Sequence, residues 1–205
     1  MIAIVDYGMG NLQSVRHSLE YVGAHVTLAT RPDQLRAADA IVLPGVGAFG
    51  ECVRNLRASG LVEALDEEVR HGGKPLLGIC VGLQVLARDG TEYGLQPGLG
   101  WISGVVRRLD ASGVTLKVPH TGWNDISVHA PHPLLAGLQK DCSFYFTHSY
   151  HLVPDRDDLL VATCEHGGRV TAAVAYENVF ACQFHPEKSQ QNGLKLLEKF
   201  LRWRP

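Results

Sequence analysis

In the first half of the chain, short apolar runs alternate with stretches whose apolar residues recur every three or four positions. Residues 2–6 form a β-rich run. Leu12, Val15, Leu19 and Val22 follow at helical spacing, closed by Gly23, and residues 25–29 are a second run. Residues 40–43 make a third, ended by Pro44-Gly45-Val46-Gly47. Helical spacing then covers 51–58 and 61–71, with Gly72-Gly73 as a stop. Residues 75–79 read as a buried strand and 81–87 as a helix. Strands and helices in alternation imply a parallel sheet.

Beyond residue 87 a Gly-rich connection leads into strand-like runs around 101–109, 114–118, 124–128, 143–147, 159–164, 170–176 and 179–184. Some of these are expected to add antiparallel strands. The predicted fold is therefore α/β: an open, mostly parallel central sheet flanked by helices, with antiparallel additions. Ser189 is a candidate N-cap for a closing helix that carries Leu194, Leu197, Phe200 and Leu201 on one face. No repeat or linker interrupts the pattern. A chain of 205 residues, 45% hydrophobic, can bury roughly 70% of its unfolded surface, so 1–205 reads as one domain.

The 19 Lys and Arg nearly cancel the 21 Asp and Glu, and no run of like charge offers a footprint for nucleic acid or a membrane surface. The N-terminus lacks a basic segment ahead of an apolar one, and nowhere do about 18 apolar residues run together, so a soluble cytoplasmic protein is expected. Five widely spaced cysteines without a Cys-x-x-Cys pair indicate neither a disulfide framework nor a zinc site. Cys52, Cys142, Cys164 and Cys182 read as small buried residues.

Cys80 has different neighbours. Leu76-Leu77-Gly78-Ile79-Cys80-Val81-Gly82-Leu83-Gln84 is a strand that delivers a cysteine between two glycines and then enters a helix. Such an elbow holds the nucleophile in a strained turn with its sulfur exposed, and the helix N-terminus favours the thiolate. A buried Cys in a Gly-containing turn reads the same way from this segment alone. A thiolate needs a base, and His185 in Gln183-Phe184-His185-Pro186-Glu187 is the strongest candidate of ten histidines. Pro186 biases His185 toward extended geometry, so 185 and 187 project to one side and Glu187 can hold the imidazole. The competing reading is a loop with a solvated ion pair. Donors for an oxyanion, each worth about 3 kcal/mol, are the Val81 N–H and the loop at Val46 and Gly47. His129-x-x-His132 and His148-x-x-His151 lack a nearby third ligand, so no metal is expected, and no motif calls for a cofactor.

The Cys-His-Glu set resembles that of the class I glutamine amidotransferases. Six segments, beginning at Val5, Pro44, Gly78, Pro119, Phe146 and Gln183, are similar in order and across essentially the whole chain to the glutaminase subunits of imidazole glycerol phosphate synthases. They include Asp6-Tyr7-Gly8-Met9-Gly10-Asn11, Pro44-Gly45-Val46-Gly47-Ala48-Phe49 and Gly122-Trp123-Asn124. Val81 and Thr121 stand where that family more often has larger apolar residues. The resemblance implies that glutamine is hydrolysed to glutamate and ammonia through a thioester on Cys80. It implies that ammonia passes to a (β/α)8-barrel cyclase subunit in a heterodimer, which forms imidazole glycerol phosphate and an aminoimidazole carboxamide ribotide. It places glutamine against Gly45, Gly47, Gln84, Ser149 and Tyr150, and Asn11, Trp123 and Lys188 toward the cyclase. It also implies low activity until the cyclase ligand binds and the loop at 44–47 presents a backbone N–H, a rotation that two glycines around Val46 make easy.

Overall fold

The computed structural model describes residues 1–110, 116–138 and 142–205. In chain order the first half runs β1 (Ile2–Val5), α1 (Leu12–Tyr21), β2 (Val26–Ala29), α2 (Pro32–Arg36), β3 (Ala40–Gly45), α3 (Phe49–Ala58), α4 (Val62–Leu65, continued by a π-helical stretch Asp66–His71), β4 (Leu76–Cys80) and α5 (Val81–Gln84). The second half is mostly β: β5 (Ala87–Gly90), β6 (Gln96–Pro97), β7 (Ile102–Arg108), β8 (His120–Asp125), β9 (Ser127–Val128), β10 (Ser143–His148), β11 (Tyr150–Pro154), β12 (Leu160–Glu165), β13 (Arg169–Tyr176) and β14 (Val179–Cys182). Helix α6 (Gln190–Arg202) follows.

The main sheet has the order β2-β1-β3-β4-β14-β13-β12-β9. From β2 to β14 the strands are parallel; β13, β12 and β9 extend the sheet antiparallel. Every residue of β1, β3, β4 and β14 is buried, as expected of strands covered on both faces. Helix α1 buries Val15 and Leu19, and α3 buries Phe49, Cys52, Val53 and Leu56. A second sheet, β11-β7-β5-β6, and the β10-β8 pair roof the carboxyl ends of the parallel strands. No helix among the described residues is long and apolar enough to cross a membrane.

Several expectations need correction. The helix expected over 81–87 ends at Gln84, because the returning segment claims the next carbonyls. Leu99 N donates to Val85 O, Trp101 N and Ile102 N to Leu86 O, and Gly100 N to Ala87 O. Of the strand expected at 114–118, residues 114 and 115 lie outside the described residues and 116–118 are irregular. The run at 124–128 divides into β8, which begins earlier at His120, and β9, with buried Ile126 between them bonded to the Cys142 carbonyl. Ser189 stands at the N-cap position of α6, its carbonyl accepting from Gly193 N, but its hydroxyl does not cap the helix: it donates to His185 O and accepts from Tyr145 N. The buried face of α6 is Gly193, Leu196, Leu197 and Phe200, with Leu194 and Leu201 at its margin.

Candidate active site

Strand β4 lies between β3 and β14, and its last residue, Cys80, has φ 56° and ψ −111°, a conformation that L-residues rarely adopt. The flanking glycines make this turn possible. A Cβ on Gly82 would be driven into the Leu43 carbonyl of β3, and one on Gly78 would come within 2.9 Å of Ala181 Cβ on β14. Against expectation the cysteine is not exposed on the surface: it is 4% accessible and forms part of the wall of a cavity of ≈ 360 Å³. Helix α5 is a single turn, so its dipole acts on Cys80 only through the local N–H groups.

His185 reaches the same cavity from the end of β14. It is 2% exposed, its N–H donates to Tyr145 O, and its Nδ1 lies 2.7 Å from Glu187 Oε1. The Glu187 side chain is 1% exposed. His185 itself is extended, as the following proline requires, but Pro186–Lys188 is a 3-10 turn. Glu187 therefore meets the imidazole by folding back over that turn, not by alternation along an extended segment. His185 Nε2 is buried without a partner at hydrogen-bond length. Burial alone pulls the His185 pKa down, but the Cys80 sulfur and the Glu187 carboxylate outweigh it and raise the pKa to about 10. A cationic imidazole at this position is an electrostatic partner for a thiolate.

The loop after β3 forms the opposite wall. Gly45 pairs with Cys80 across the β3–β4 ladder, and any side chain there would strike Gly82 N and the Tyr7 hydroxyl. Two buried groups grip the loop from behind: Tyr7 Oη donates to Pro44 O at 2.9 Å and Cys52 Sγ donates to Val46 O at 3.2 Å. Burial pushes the Cys52 thiol up to about 11 and Tyr7 well above its ordinary value, so both remain protonated donors. Val46 is 38% exposed and Gly47 has φ +93°; both line the cavity with Val81.

Gln84, Ser149 and Tyr150 line the cavity as well, with Glu92, Pro119 and Thr147, which sequence reasoning did not single out. The Gln84 amide nitrogen donates to Tyr150 O at 2.8 Å and to Gln183 Oε1 at 3.0 Å. Gln183, completely buried, donates in turn to Cys80 Sγ at 3.6 Å. Its only sequence signal was a polar residue two positions before His185 in an apolar strand. Of the three residues expected toward a partner, Lys188 lines the cavity and stands over the Tyr145 ring at 5.8 Å. Trp123, 49% exposed, meets the same ring edge-on at 6.2 Å. Asn11 stands at the start of α1, next to Gly10, where an added Cβ would come within 3.3 Å of the Pro44 ring.

Among the described residues no three His, Cys, Asp or Glu side chains come together as a metal site. His129 bonds Thr163 Oγ1, and the His132 ring packs on Phe180 and Trp203. None of the five cysteines is in a disulfide, and all five are buried.

The family model "Glutamine amidotransferase class-I" matches residues 3–203. The imidazole glycerol phosphate synthase subunit HisH of Caulobacter vibrioides is 47% identical over 210 residues, covering 100% of this chain and 99% of its own. The same subunit of Zymomonas mobilis is 48% identical over 209 residues, covering 100% and 96%. Among solved structures, PurLQS from Thermotoga maritima superposes with a TM-score of 0.75 at 22% identity, over 98% of this chain and 97% of that one, a likeness of fold. The chain belongs to the class-I glutamine amidotransferases and, within them, to the family of HisH subunits of imidazole glycerol phosphate synthase.

Proposed function

We propose that the chain hydrolyses glutamine through Cys80, His185 and Glu187, supplying ammonia for histidine biosynthesis. The thiolate of Cys80 attacks the side-chain amide carbon, and the oxyanion that develops is met by the Val81 N–H and by an N–H of the loop at Val46 and Gly47. His185 gives its proton to the departing nitrogen, the C–N bond breaks, and ammonia leaves a thioester on Cys80. Water then adds to the thioester carbonyl as His185 takes its proton. Collapse expels the sulfur and frees glutamate. Glu187 holds the ring in the tautomer that exposes Nε2 and stabilises its charged form.

The observation that carries this reading is the strained Cys80 in a cavity wall shared with a buried His185–Glu187 pair at 2.7 Å. Glutamine is placed with its amino-acid end against Gln84, Ser149 and Tyr150, and its amide between Cys80 and the loop at Gly45 and Gly47. The relatives are named as subunits, which implies a partner subunit for this chain too. We assign that partner as a (β/α)8-barrel cyclase in a heterodimer. Trp123 and Lys188, which both meet the Tyr145 ring, and Asn11, at the start of α1, are proposed to face it. We further read 1–205 as one domain and infer a cytoplasmic location from the pathway.

The test measures ammonia release from glutamine by the chain alone, with cyclase, and with cyclase and its nucleotide ligand, beside Cys80→Ala. A stepwise rise abolished by the substitution is expected; undiminished release by Cys80→Ala would overturn the nucleophile assignment.

A further inference from the structure

A buried polar chain runs from Cys80 to the strand that carries Trp123, and the hydrolysis described above leaves most of it unused. Cys80 Sγ accepts from Gln183 Nε2; Gln183 Oε1 accepts from Gln84 Nε2, whose other hydrogen goes to Tyr150 O. Tyr150 O also faces His148 Nδ1 at 2.9 Å. His148 Nε2 meets His120 Nδ1 at 2.9 Å, and His120 Nε2 meets Asn124 Nδ2 at 3.1 Å. Asn124 Nδ2 also donates to Glu165 O at 2.9 Å. Gln84, His120, His148 and Gln183 are all buried.

The two backbone carbonyls fix the direction of every hydrogen between them. Tyr150 O can only accept, so His148 Nδ1 carries the proton and, in a neutral ring, Nε2 is the acceptor. His120 Nδ1 must then donate, which leaves His120 Nε2 to accept. Asn124 has its nitrogen on that side because Glu165 O also only accepts. The chain closes with all its hydrogens placed only while both rings are neutral. Their surroundings favour that state: burial first, then neighbouring histidines, pushes His120 down to about 4 and His148 to about 3. His166 stacks on His120 at 4.1 Å between ring centroids, and His151 adds to the effect on His148.

We propose that His120 and His148 are positioning residues for glutamine hydrolysis: as a neutral pair they hold the Tyr150 carbonyl and, through it, the Gln84 and Gln183 amides beside the substrate and Cys80. The proposal rests on the glutaminase reading. Tyr150 O is gripped from two sides, by Gln84 and by His148, and the backbone at 149–150 is cavity wall. Loss of the His148 grip loosens the wall that reads the substrate without touching the groups that make and break bonds.

The experiment uses the assembled synthase with its nucleotide ligand and determines KM for glutamine and kcat separately. His148→Leu removes the donor, whereas the Asn side chain of His148→Asn can place an N–H near the site of Nδ1–H. His120→Leu removes the Nδ1–H that His148 Nε2 accepts, at a residue that does not line the cavity. His148→Leu and His120→Leu are expected to raise KM about tenfold, as loss of roughly one net buried hydrogen bond does, with kcat within about threefold. His148→Asn is expected to keep KM within about threefold of the parent. An unchanged KM in either folded leucine variant overturns the proposal, as does an asparagine variant as impaired as His148→Leu. If His148→Leu does not fold, His120→Leu decides. Parent enzyme without turnover and without a Cys80 adduct from a glutamine-analogue electrophile overturns the glutaminase reading and this proposal together. Turnover and adduct in the parent, with no KM shift in the variants, overturns the positioning role alone.

Discussion

If the turn at Cys80 is strained, removing the thiol in two ways should give two different stabilities. Cys80→Ala and Cys80→Gly both delete the sulfur, so their difference reports on the backbone. The alanine variant keeps a Cβ at φ 56° and ψ −111°, a conformation costing of order 1–3 kcal/mol for an L-residue. Glycine releases that cost. Against it stand the greater freedom of the unfolded chain, about 0.4–1 kcal/mol, and the loss of one buried carbon, about 0.8 kcal/mol. At an ordinary buried position only these two losses operate, and glycine is worse than alanine by about 1–2 kcal/mol. At position 80 strain relief offsets them, so Cys80→Gly is expected to lie between about 0.8 kcal/mol below and about 1.8 kcal/mol above Cys80→Ala. Urea unfolding with matched slopes measures the difference. Ala181→Gly, on the adjacent buried strand β14, is the control and should show the ordinary loss. A Cys80→Gly variant about 1–2 kcal/mol below Cys80→Ala, like the control, would refute the strain argument.

Gly82→Ala should be poorly folded, since its Cβ meets the Leu43 carbonyl of a central strand, and a loss beyond the about 1–3 kcal/mol of ordinary overpacking should appear in urea midpoints. Glu187→Gln leaves the shape of the site unchanged but removes the charge on Nδ1 of His185. With partner and ligand present, kcat should fall by roughly 10²–10⁴-fold, and the basic limb of the pH profile should move to lower pH; an unchanged kcat excludes an orienting role. Stability should fall on acidification through the histidines. His120 and His148 are held at about 4 and about 3 in the fold, whereas unfolded histidine titrates near 6.5, so the unfolded chain takes up protons first. The stabilisation is complete above about pH 6.5 and is lost as pH drops toward the folded values, at up to about 1.4 kcal/mol per pH unit for each ring. His132 and His151, lowered to about 4 by burial, act in the same direction. Unfolding free energies that stay level between pH 6.5 and 5 would contradict it.

The parallel half of the fold was legible because its strands are continuous apolar runs with glycine or proline at their ends, and two-sided burial leaves that signature. The second half was less so. β5 is Ala-Arg-Asp-Gly, and it is a strand because β6 and β7 pair with it on either side, a tertiary event without local pattern. β11 buries only Leu152 and shows no clean alternation. At the candidate site, the elbow and His-Pro-Glu were readable since their chemistry lies in short contiguous motifs. Gln183, Tyr7 and Cys52 were not, because each acts on a residue distant in the chain. The histidines show why residue type alone misleads. His148-x-x-His151 has the spacing of a ligand pair, though no metal was expected of it; in the fold His148 turns to His120 and His151 accepts from Thr171 N.

Gly45 and Gly82 touch through main chain alone, so the gap between the sulfur-bearing turn and the loop across from it is one backbone thickness. Substitutions elsewhere in the pocket can alter what is admitted, but they cannot act as shims between these two segments. An engineer who wants a different amide substrate has almost no freedom here, where the smallest added group is already too large.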